Sequence, residues 1–262
     1  MPWNQDSGQT IGFPECMSAV PLPYRILALV QERNYLFQYP LERLAGEIKD
    51  AGFRCEMCGS CCTQAVTRNI FLLDQDVVAL TQIDPESFEP APDPEFCDQD
   101  GTLYTSGYAL KMRGENPRAC WFFERDRCRI YDQRCSICRI YPYMLRRIRD
   151  PGGRFRWRRV SRPGEHGHCH GDIPDEECRT LAREVKEYEN AFITQQISFL
   201  ETIQEYFTRH SLVHDHSRYL RGISQVSRGS PVTIRVYKAG ELVEHRDYIR
   251  WRSESDHLNT SC

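Results

Sequence analysis

The first ten residues, Met-Pro-Trp-Asn-Gln-Asp-Ser-Gly-Gln-Thr, lack the basic start and apolar stretch of a secretory signal, so none is expected. No apolar run approaches the length of a bilayer span. The sequence has no Gly-x-Gly-x-x-Gly, no P-loop and no nucleophile elbow, so dinucleotide, nucleoside triphosphate and serine-hydrolase chemistry find no support in it. No internal repeat of solenoid length is visible. A strong charge of either sign is also missing. Lys and Arg total 34 against 37 Asp and Glu, a net charge of −3, which gives no global attraction to nucleic acid or to membranes. At 262 residues and 40% apolar content, the chain can bury a sizeable core.

Cysteine is what the sequence has in excess. The total is 13, an odd number, so a fully paired set of intramolecular disulfides is excluded. Without a secretory signal the expected compartment is the cytoplasm, where thiols stay reduced and metal is favoured over disulfide. Four cysteines, Cys55, Cys58, Cys61 and Cys62, fall within eight residues. A two-residue gap lets two thiolates turn toward one point, and Gly59 supplies the backbone freedom for that turn. Adjacent side chains such as Cys61 and Cys62 diverge, which suits a polynuclear cluster or two neighbouring metals better than one tetrahedral ion. A second group follows: Cys120, Cys128, Cys135 and Cys138, then Cys169 between His168 and His170. Cys16, Cys97, Cys178 and Cys262 stand apart from both.

The expected architecture is α+β: a small cysteine-rich core of short strands and hairpins, flanked by helices, one of them long and in the C-terminal half. Helical spacing from Tyr24 to Ala51 predicts two helices split at Pro40. Val66–Leu72 reads as a strand, and Asp74 as the cap of a short helix. Residues 84–100, with four prolines and seven acidic residues, read as a surface loop, and Thr102–Met112 as a strand. Cys120–Phe123 and Cys128–Tyr131 predict a hairpin about Arg125-Asp126-Arg127. Pro174 and the acidic residues after it predict the start of a helix running to about Phe207. Val232–Tyr237 and Leu242–Tyr248 predict a last hairpin. The expected divisions are an arm with two helices (1–50), a metal-binding domain (51–172), and the long helix with the C-terminal hairpin (173–262).

The cysteine pattern resembles the zinc- or iron-chelating cysteine-cluster family, the YkgJ-like or CxxCxxCC proteins. The resemblance rests on Phe53 through Cys62, Cys120, Cys128-Arg129-Ile130-Tyr131, Cys138-Arg139-Ile140-Tyr141-Pro142-Tyr143, and Cys169 followed by Gly171. It implies metal ligation by Cys55, Cys58, Cys61, Cys62, Cys120, Cys128, Cys138 and Cys169. Where the family has Arg-Pro, this chain has Arg134-Cys135, which makes Cys135 an additional or substitute ligand candidate. Flagellin lysine methylases carry a similar cysteine region.

Eight thiolates could hold iron–sulfur clusters, [4Fe–4S] being the expected form, or two all-cysteine zinc sites. The adjacent Cys61 and Cys62 favour iron–sulfur; zinc is the alternative. The expected function is a metal-binding protein acting in electron transfer or in a maturation or protein-modification system. The alternatives are a zinc-stabilised interaction module and a methylase-like modifying enzyme. No residue qualifies as catalytic.

Nine arginines lie between residues 139 and 162. A two-residue turn at Pro151-Gly152 would set Arg149 opposite Arg154 and Arg147 opposite Arg156, four arginines on one face. Such a face is expected to take a protein partner or an anionic ligand; nucleic acid is disfavoured by the negative net charge.

Overall fold

A computed structural model describes residues 20–63, 69–114, 118–149, 155–159 and 171–249, with only the backbone described at 146–149 and 155–159. The fold is α+β. Among the described residues there are six α-helices: α1 (Leu22–Gln38), α2 (Leu41–Ala51), α3 (Asp74–Ile83), α4 (Ser136–Ile140), α5 (Asp175–His210) and α6 (His216–Ser227).

Pro40 separates α1 from α2, because the residue before a proline is pushed into the extended region; Tyr39 takes φ −67°, ψ 119° there. Gly52 ends α2 in the left-handed region, its N–H donating to Ile48 at 2.9 Å. The chain is thereby turned out of the helix three residues before Cys55. The long helix, α5, has 36 residues and spans about 54 Å. Asp175, Glu176 and Glu177 occupy its first turn, and Arg209 and His210 its last, so both ends complement the helix dipole.

One core joins these helices. Leu36 of α1, Leu44 and Ile48 of α2, and Ala182, Val185, Phe199, Leu200 and Ile203 of α5 are all fully buried in it. Tyr104, Ile140 and Tyr143 fill it from the intervening segment. A second core, of Leu72, Val77, Leu80, Leu110, Phe122 and Cys120, lies beneath the cysteine segment. The two ends of that segment meet, since the Gly171 N–H donates to the Gly52 carbonyl at 2.9 Å.

The hairpin of Val232–Lys238 and Glu241–Tyr248 forms as expected. Its first strand also pairs in parallel with Leu103–Thr105, which pairs in turn with Phe96–Cys97. The expectation of a surface loop at 84–100 is therefore overturned: short strands form at Phe88–Pro90 and Phe96–Cys97, and Ala91, Phe96, Cys97 and Asp98 are buried. The buried Asp98 carboxylate accepts the N–H groups of Asp100 and Thr102 and the Tyr104 hydroxyl, at 2.7–2.9 Å, so acidic content there marks internal hydrogen bonding. The single strand expected at Thr102–Met112 is broken into Leu103–Thr105, Tyr108–Leu110 and Met112–Arg113. Of the strand expected at Val66–Leu72, Phe71–Leu72 is formed, and residues 64–68 lie outside the described set. Asp74 is the first residue of α3, not its cap; the Asp76 carboxylate accepts the Leu73 N–H at 3.2 Å instead. Among the described residues no helix is long and apolar enough to cross a membrane.

Candidate metal centre

The first cysteine run is folded by two left-handed residues, Met57 (φ 56°) and Gly59 (φ 76°), ahead of a single 3-10 turn at Ser60–Cys62. At Gly59 the close approach is to Phe123: a Cβ there would lie 2.2 Å from the Phe123 ring. Phe123 is itself paired with Cys128 in a two-residue hairpin turned by Arg125 and Asp126, both at positive φ. Gly59 thus docks the first cysteine run on the second. Gly59→Ala is expected to cost about 2 kcal/mol through backbone strain and the ring contact. Urea unfolding of the two proteins would measure it.

Two further contacts fasten the groups together. Thr63 forms an antiparallel bridge with Ala119, which sets the neighbouring Cys62 beside Cys120. Tyr143, 2% exposed, accepts the Phe53 N–H at 3.0 Å and donates to the Phe53 carbonyl at 3.3 Å. Sequence reasoning did not give Tyr143 this role. The signal available was its place at the end of the Cys138–Tyr143 signature, with Tyr141 packed edge-on against Phe53 at 5.9 Å.

The result is one cavity of about 100 Å³. Cys55, Cys58, Cys61 and Cys62 line it from the first run, and Cys120, Cys128, Cys135 and Cys138 from the second. Seven of the eight expected ligands, and Cys135, are thus brought to one place. Cys169 lies outside the described residues, as do His166, His168 and His170. Phe53, Met57, Phe122, Phe123 and Ile137 make the rest of the lining largely apolar. Arg134 reaches the same cavity, its guanidinium 4.2 Å from the Tyr131 ring centre. None of the ten described cysteines is in a disulfide.

This lining disfavours bare thiolates. Burial pushes the Cys120 thiol up to about 12 and raises that of Cys128. Cys138 is held well above its ordinary value by its hydrogen bond with Cys135, and then by burial. Cys61 is raised by its hydrogen bond to Cys62; the same bond draws Cys62 down, and Arg134 adds to that. A thiophilic cation must displace these protons to bind, and eight thiols lining one cavity are a donor set that fits such a metal. Among the described residues, however, no three His, Cys, Asp or Glu side chains converge where one ion could sit.

The expected arginine face does not form as drawn from the sequence. The strands Leu145–Arg149 and Phe155–Arg159 pair Arg147 with Trp157, Ile148 with Arg156, and Arg149 with Phe155. Arg147 and Arg156 are therefore not opposed, and Arg154 lies outside the described residues. Five residues separate the paired strands where a two-residue turn was expected, and a one-residue change of register exchanges the faces. Cys97 and Cys178 are buried away from the cavity, and Cys16 and Cys262 lie outside the described residues.

No curated protein and no solved structure matches this chain. A family model does, over residues 54–179, a span that takes in every cysteine of the cavity. Over that segment the chain is similar to the CxxCxxCC family, described as a zinc- or iron-chelating domain.

Proposed function

We propose that the thiol-lined cavity holds an iron–sulfur cluster of the [4Fe–4S] type, and that the protein serves electron transfer or a maturation or protein-modification system in the cytoplasm. The observation that carries this reading is the spread of eight thiols around one apolar cavity. A zinc ion with four thiolates needs its sulfurs about 2.3 Å from one point. The described thiols do not converge in that way, and a body of several metal atoms suits their spacing better. The cavity has several times the room that one water requires. When bound, a cluster would supply one-electron chemistry. Around it, Phe53, Phe122 and Phe123 would exclude water, and Arg134 would offset part of the negative charge of a thiolate-ligated cluster.

Anaerobic purification followed by elemental analysis tests this. Brown protein carrying iron and acid-labile sulfide, with broad absorbance near ~400 nm, is the expected result. Colourless protein with stoichiometric zinc would replace the cluster by structural zinc sites.

A further inference from the structure

Cys135 and Cys138 are held differently from Cys97 and Cys178, the two buried cysteines outside the cavity. The Cys135 carbonyl accepts the N–H of Cys138 at 2.9 Å and of Arg139 at 3.2 Å, wrapping the chain into the one turn of α4. Both residues line the cavity. Cys97 and Cys178 differ: their sulfurs donate to the backbone carbonyls of Asp98 (3.5 Å) and Ile173 (3.8 Å), as cysteines serving as packing do.

Behind the pair stands Asp76, 6% exposed. Its Oδ1 accepts the backbone N–H of Ser136 at 2.9 Å and the Ser136 hydroxyl at 2.8 Å; its Oδ2 accepts the Leu73 N–H at 3.2 Å. Gln75 donates to the same Ser136 hydroxyl at 3.1 Å. The first turn of α3 is anchored in turn to α5, where Gln195 accepts the Asp74 N–H at 3.0 Å. A buried carboxylate is costly to desolvate, and this one directs two of its three hydrogen bonds at the single residue that follows Cys135. The chain of contacts runs α5, α3, Ser136, and so fixes the backbone between the two thiols.

We propose that Cys135 and Cys138 form one two-thiolate chelate for a thiophilic cation, and that Asp76 is the positioning residue that sets their spacing. This rests on the metal reading above; within it, it pairs Cys135 with Cys138 and adds Asp76. The test uses the full chain, stripped of metal under anaerobic conditions and titrated with cadmium(II). The readouts are sulfur-to-cadmium absorbance per bound ion, affinity by chelator competition, and helical circular dichroism.

Cys135→Ala should lower the absorbance at the tightest site by up to about half, the share of one thiolate in the proposed pair. Asp76→Asn and Asp76→Ala should leave absorbance per bound ion intact but weaken affinity by about 10- to 100-fold, the effect of removing a group that orients a ligand. Should Asp76→Ala fail to fold, Ser136→Ala removes the hydroxyl donor alone and should weaken affinity less. Unchanged absorbance in Cys135→Ala would remove Cys135 from the ligand set. Lower thermal stability in the Asp76 variants at unchanged affinity would reduce Asp76 to a structural role. Wild-type protein that binds no cadmium would overturn the metal reading itself, and this inference with it.

Discussion

Cys138→Ser is expected to strip most of the bound metal and to lower the melting temperature by about 10 °C. Cys138 sits where the two cysteine groups meet: α4 carries it into the cavity beside Cys135, with the second core beneath. A hydroxyl is a poor substitute for thiolate toward zinc or iron. The free energy of thiolate–metal binding is also folding free energy, so losing one ligand costs on the order of several kcal/mol. In a chain of this size each kcal/mol moves the melting temperature by about 2–4 °C. Cys16→Ser and Cys262→Ser, which stand apart from the cysteine pattern in the sequence, should change neither quantity. Metal analysis and thermal scans on the three variants make the comparison. Full metal content in Cys138→Ser would remove this residue from the ligand set.

Glu189→Gln is expected to stabilise the protein at alkaline pH by about 3–5 kcal/mol while changing little at pH 5. The size follows from the roughly 1.4 kcal/mol that a tenfold change in a proton-binding equilibrium is worth. Glu189 lies on the buried side of α5, 6% exposed, and its Oε1 accepts the Leu145 N–H at 2.8 Å. Burial pushes its carboxyl up to about 8; the Leu145 hydrogen bond opposes that rise, and Glu32 adds to it. The folded pKa therefore lies above the unfolded one. The stability this confers is complete below about 4.5 and is lost as pH rises through about 8. Glutamine keeps the acceptor for Leu145 and removes the ionisation. Urea unfolding at pH 5 and pH 9 would show the two curves diverging only at the higher pH. Equal slopes in both proteins would mean that Glu189 ionises freely.

Much of this fold could be read from local signals. Pro40 and Gly52 bound α2, and Pro174 with its acidic turn starts α5, because each acts on its own few residues. The spacing of Cys55, Cys58, Cys61 and Cys62 likewise pointed to metal, and the four line one cavity. What escaped depends on partners distant in the chain. The acidic, proline-rich segment around Asp98 is buried because Tyr104 and the Thr102 backbone meet its carboxylate. Helix α6 has its cap in Asp215, which accepts the Arg218 N–H at 2.9 Å, but a mixed polar pattern hid it. The arginine hairpin was misplaced by one residue, and in a strand one residue is a whole face. Tyr143 and Asp76 act across long separations, on Phe53 and Ser136, where no spacing rule reaches.

The hydrogen bond between Gly52 and Gly171 makes the cysteine segment a closed ring, clasped by two helices that share a core. Bringing the ends of so long a stretch together costs about 4 kcal/mol of chain entropy. Here the packing of α2 on α5 meets that cost before any ion arrives. An emptied protein is expected to keep its clasp, so that loading requires the sulfurs to settle around the ion but not the chain to search for its own ends. Uptake of metal is then expected to proceed on a standing frame, at a pace set by sulfur chemistry and not by refolding.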